Sequence, residues 1–62
     1  MMSEALAREK QKEIFLKLVE EQDAGTSVEQ SRQQVSEKFG ISVSELFAIE
    51  QQGRLHQWPP LA

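Results

Sequence analysis

"VSEKFGISVSELFAIEQQG", residues 35–53, holds one helix end, one turn and one helix start in close succession. Gly40 is the residue type that accepts a left-handed backbone without a β-carbon penalty, so it closes the helix before it. Ser42 and Glu45 spell a capping box, S-V-S-E, in which the serine side chain and the glutamate side chain each satisfy a free backbone amide. Ile41, just before the cap, and Leu46, one turn inside, are spaced to pack as a hydrophobic staple. The helix opened there is predicted to run to about residue 52, with Gly53 ending it. Leu46 and Ile49, three apart, face inward. On the helix before the turn, Val35 and Phe39 share the inner face, and Ser36 is small enough for a close crossing.

Working backwards, "DAGTS" (23–27) is a turn in which Gly25 ends a first helix, and Thr26 with Glu29 reads as a second capping box. The middle helix then spans about 27–39, with Val28, Val35 and Phe39 inward. The first helix is predicted over about 4–23, capped by Ser3, with Ile14, Phe15, Leu18 and Val19 forming one apolar stripe. Leu6 and Leu16 fall off that stripe: either the first turns pack poorly or these leucines cover a second surface. Forwards, "RLHQWPPLA" contains two prolines that forbid further helix and favour an extended tail over 53–62. Trp58 is expected to fold back as a lid on the core, against the alternative that Trp-Pro-Pro-Leu is a free docking motif. The expected fold is therefore all-α. It is one small three-helix bundle over 1–62, containing a helix-turn-helix over about 27–52 and ending in an extended tail.

The chain has 62 residues and no cysteine. That size leaves little room for an enclosed catalytic pocket and suggests modest stability. No apolar run approaches the roughly 20 residues of a membrane-spanning helix, and no leader is visible at Met1. With thiols absent, a cytoplasmic setting is expected. Seven basic residues stand against ten acidic ones, a net charge of −3, the wrong sign for a chain held to nucleic acid by its overall field. Four of the seven (Arg8, Lys10, Lys12, Lys17) lie in the first helix among Glu4, Glu9 and Glu13. Glu9–Lys12 and Glu13–Lys17 are spaced for ordinary surface pairs, and Glu20, Glu21 and Asp23 read as a solvated face. His56, the one histidine, has no partners at metal or catalytic spacing. No nucleophile, phosphate-loop or paired-carboxylate motif appears. The expectation is a non-enzymatic protein without metal, cofactor or small-molecule substrate, and without a membrane partner.

"FGISVSELFAIEQQGRL" (39–55) resembles the C-terminal helix-turn-helix of bacterial sigma factors, which reads promoter DNA. Gly40, Ile41, Ser42, Leu46, Ile49 and Glu50 fall in that family's order, over about a third of the chain. The resemblance implies a helix-turn-helix scaffold whose third helix is the recognition helix. On that helix the family carries arginine and glutamine for phosphates and base edges; the corresponding places here look like Val43, Glu45, Phe47 and Ala48.

Two functional readings follow. In the first, the recognition face serves a protein partner or a second copy of the chain, through Val43, Phe47, Glu50 and Gln51. In the second, the protein is a DNA-binding regulator acting as a dimer or within a larger assembly, with Ser42, Ser44, Gln51, Arg54, Arg32 and Lys38 as contacts and extra positive charge supplied by the partner. Val35, Phe39, Gly40, Ile41, Leu46, Ile49 and Trp58 are expected to be structural in both. Phe47 discriminates between them: it is either covered by the first helix or the tail, or it is an exposed apolar anchor.

Overall fold

The computed structural model describes residues 7–61. Three helices, α1 (Arg8–Asp23), α2 (Val28–Phe39) and α3 (Val43–Leu55), pack so that each touches the other two. There is no strand among the described residues. One core of Ile14, Phe15, Leu18, Val35, Leu46, Ile49 and Trp58 lies between the helices, with Val19, Phe39 and Ile41 packed at its edge. Fully burying a side chain of this size contributes about 1.5–3 kcal/mol.

The turn between α2 and α3 forms as its residues dictate. Gly40 is left-handed (φ 67°, ψ 34°), the amide of Ile41 donates to the carbonyl of Ser36 at 3.0 Å, and that of Gly40 to Glu37 at 3.3 Å. This pair of bonds is the Schellman closure. The capping box is complete: the Glu45 amide donates to Ser42 Oγ at 3.0 Å, and the Ser42 amide to Glu45 Oε1 at 3.2 Å. Ser36, at the crossing, is buried, and its hydroxyl donates to the Gln33 carbonyl within its own helix.

All three helices end with the same closure. After α1, Gly25 (φ 104°) takes the left-handed place, with Thr26 N–H to Glu21 O at 3.1 Å and Gly25 N–H to Gln22 O at 3.1 Å. After α3 the left-handed residue is Gln57 (φ 51°), with Trp58 N–H to Gly53 O at 2.9 Å and Gln57 N–H to Arg54 O at 3.4 Å. A side chain in that backbone region costs about 1–2 kcal/mol. Here the closure reverses the chain and delivers Trp58 to the core, which offsets that cost.

Gly53 therefore does not end α3, as the sequence suggests, but lies buried inside it. A β-carbon there would collide with the Phe15 ring, whose Cγ would stand 2.7 Å away. The glycine lets α1 and α3 approach, and a helix-ending residue is needed four positions later. The tail is not extended either. The Leu61 amide donates to the Trp58 carbonyl at 2.8 Å, closing a turn through a cis Pro59–Pro60 bond. Neither proline has an amide hydrogen to donate, so Leu61 makes the bond.

Further expectations are corrected in detail. Ser3 and Leu6 lie outside the described residues; α1 starts after Ala7, which makes no side-chain cap. Ser27, not Thr26, caps α2, accepting from the Gln30 amide at 3.1 Å; the Thr26 hydroxyl instead donates to Glu21 Oε1. Val28 is 49% exposed. It is the first residue of α2, and the first inward place of that helix goes to Ser31 one turn later, fully buried. The surface pairs are Lys10–Glu13 at 3.4 Å and Lys17–Glu21 at 3.8 Å rather than Glu9–Lys12 and Glu13–Lys17.

Candidate functional site

α3 turns Leu46, Ile49, Glu50 and Gly53 inward. That stripe leaves Val43, Ser44, Phe47, Ala48 and Gln51 outside. Val43 and Phe47, one turn apart, are 50% and 46% exposed. Phe47 is thus neither core nor lidded by the tail. Its one aromatic-face neighbour among the described residues is the guanidinium of Arg32, reaching across from α2 to 5.4 Å from the ring centroid.

Glu50 is the residue whose place the sequence reading missed. It was expected on the outward face but is 2% exposed. Two arginines hold it. Arg32 donates through Nε to Oε1 at 3.0 Å and through Nη2 to Oε2 at 3.3 Å, and Arg54 Nη2 donates to Oε2 at 2.7 Å. A buried carboxylate without such partners would carry a large desolvation penalty. The forked geometry of Arg32 is the strong form of this contact. The signal was present in the pattern: residues 46, 49, 50 and 53 keep the i, i+3, i+4, i+7 spacing of an inward stripe, so a glutamate at 50 requires cations from the facing helix.

The triad reassigns the basic residues. Arg32 and Arg54, expected as possible phosphate contacts, are engaged by Glu50, with 28% and 59% of their side chains exposed. Lys38 is elsewhere. It lines a groove of about 180 Å³ together with Glu13, Leu16, Lys17, Glu20 and Phe39, on the α1 side of α2. Leu16, 39% exposed, opens onto that groove. The hydroxyl of Ser42 accepts from the Glu45 amide as the cap of α3. Ser44 and Gln51 are exposed. Gln22 donates to Ser31 Oγ at 3.1 Å, and the Ser31 hydroxyl donates to the Val28 carbonyl at 2.8 Å, so the buried Ser31 hydroxyl is satisfied as both acceptor and donor.

Removing Arg32 tests the triad. Arg32→Ala leaves Glu50 with Arg54 alone and should cost about 1.5–3 kcal/mol, the range for hydrogen bonds to a charged group. Adding Glu50→Leu should return much of that loss, because it removes the buried charge. Urea unfolding of the two variants measures both. If Arg32→Ala unfolds with the parent, Glu50 does not depend on the clamp.

His56 is exposed, with Nε2 3.1 Å from Gln52 Oε1 and its ring stacked at 6.3 Å on Trp58. Among the described residues no three His, Cys, Asp or Glu side chains are grouped to hold a metal ion, and no helix is long and apolar enough to cross a membrane. No family model, curated protein or solved structure matches the chain.

Proposed function

We propose that the protein is a small non-enzymatic binding module, a regulator built on a helix-turn-helix scaffold whose recognition helix meets protein rather than DNA. One observation carries the reading. Phe47 stands half exposed on the outer face of α3, while both basic residues near it are engaged by the buried Glu50. Affinity for DNA comes mainly from neutralised phosphates and the counterions they release. Around this face the one net positive charge left by two arginines and one carboxylate is a small supply. An exposed aromatic beside an exposed valine is instead the composition of a protein-interface anchor. Val43, Phe47 and Gln51 are the contacts of this proposal; Glu50 holds the arginines beside them and is not itself a contact. The likeness to the sigma-factor motif then extends to the scaffold and not to its DNA contacts. The absence of cysteine supports a cytoplasmic setting.

The competing DNA reading is tested by titrating fluorescent duplex at low and at physiological salt. Weak binding at physiological salt is expected. Submicromolar affinity there, with a steep salt dependence, contradicts the proposal and assigns the face to DNA.

A further inference from the structure

We infer, resting on the docking face just proposed, that its partner is an acidic amphipathic helix, whose apolar residues cover Val43 and Phe47 and whose carboxylates meet Arg32 and Arg54. The exposed positions of α3 around Phe47 (Val43, Ser44, Ala48, Gln51) carry no charge. Within the triad two guanidiniums stand against one carboxylate, one positive charge more than the carboxylate they hold, in a chain whose net charge is −3. Of the other acidic residues on these two helices, Glu29 lies one turn before Arg32 in α2, and Glu45 lies two positions before Phe47 in α3, its Oε1 accepting from the Ser42 amide.

The arginines retain capacity to bind. Their bonds to Glu50 use Nε and Nη2 of Arg32 and Nη2 of Arg54; the remaining N–H groups of both have no hydrogen bond among the described residues. A guanidinium fork takes a second carboxylate by the same charge-assisted geometry. Glu50 fixes both forks in advance, which lowers the ordering cost on binding. Arg54 lies eleven helical steps after Val43, about 16 Å along the axis. A partner helix of about three turns covers that length, with apolar residues one turn apart at one end and Asp or Glu at the other. A phosphate backbone would find the charge but has no apolar group for Val43 and Phe47, so the face as a whole fits a peptide.

The test uses the ¹⁵N-labelled full chain and three alanine-based helical peptides of about 18 residues, long enough to hold helix. All carry the same pair of leucines one turn apart; the flanking positions are Glu, Gln or Lys. The Glu peptide should shift amides of residues 43–54 and bind at least about tenfold tighter than the Lys peptide at low salt. Arg54→Gln should abolish that preference. Gln51→Glu, an exposed change that leaves the triad intact, should weaken the Glu peptide and strengthen the Lys peptide. Phe47→Ala should weaken all three. If the Gln or Lys peptide binds as tightly as the Glu peptide, with shifts that still depend on Phe47, the acidic partner is overturned and the docking face stands. If the shifts fall on Leu16 and Phe39 instead, or persist in Phe47→Ala, the docking face itself is overturned. Absence of shifts with every peptide at millimolar concentration overturns the acidic helix. A short duplex that shifts residues 43–54 at physiological salt also overturns it, in favour of nucleic acid.

Discussion

Trp58→Ala should destabilise the protein by about 3–5 kcal/mol, the usual cost of truncating a buried tryptophan. Trp58 is 4% exposed although it lies beyond the last helix. Its ring meets Phe15 edge-on at 6.0 Å, stacks with His56 at 6.3 Å, and lies 5.7 Å below the Arg8 guanidinium. Removing the indole therefore uncovers Phe15 and leaves the left-handed Gln57 without the burial that offsets its strain. A domain of this length has roughly 3–9 kcal/mol to lose at about 0.05–0.15 kcal/mol per residue. The variant should sit near the threshold of unfolding at 25 °C, with a melting temperature lower by at least about 12 °C. Tryptophan emission of the parent should be blue-shifted when native. A parent with solvent-like emission, and a variant that melts with it, would mean that the tail does not close the core.

Leu46→Ala should cost about 2–5 kcal/mol. Leu46 is fully buried in the cluster shared by all three helices, and Ile41, its expected staple partner, packs against that cluster. The substitution empties volume in a core of seven buried apolar residues, where few neighbours exist to relax into the gap. Calorimetry or urea unfolding reads the loss directly. A cost below about 1 kcal/mol would place Leu46 outside the core and misplace the register of α3.

The register of α3 was legible in the sequence because its start signals are local. Ser42, Glu45, Gly40 and Ile41 each act on backbone groups within a few residues, so the capping box and the left-handed glycine form where the spacing puts them. The ends of the chain were less legible because their causes are distant. Gly53 reads as a helix stop by composition, yet its role is fixed by the Phe15 ring 38 positions earlier, and Gln57 takes the left-handed place instead. The tail carries Pro-Pro, which by local preference is extended, but the bond from Leu61 to Trp58 and the burial of the indole fold it back. Glu50 is the informative error at the candidate site. A charged residue is assigned outward by default, but the inward spacing of α3 and two arginines on different helices hold it inside. That reversal turns Arg32 and Arg54 from expected phosphate contacts into a clamp on Glu50, and it leaves Phe47 and Val43 as the large exposed apolar residues of the outer face of α3.

The central claim is that the outer face of α3 serves a partner and not the fold. The unfolding free energy of Phe47→Ala, measured in urea beside the parent, tests it most directly. Phe47 is half exposed and gives up a cation–π contact with Arg32 of about 0.5–1 kcal/mol, so the account predicts a loss of about 1 kcal/mol or less. A loss of about 2–5 kcal/mol, equal to that of Leu46→Ala, would make Phe47 part of the core and contradict the account.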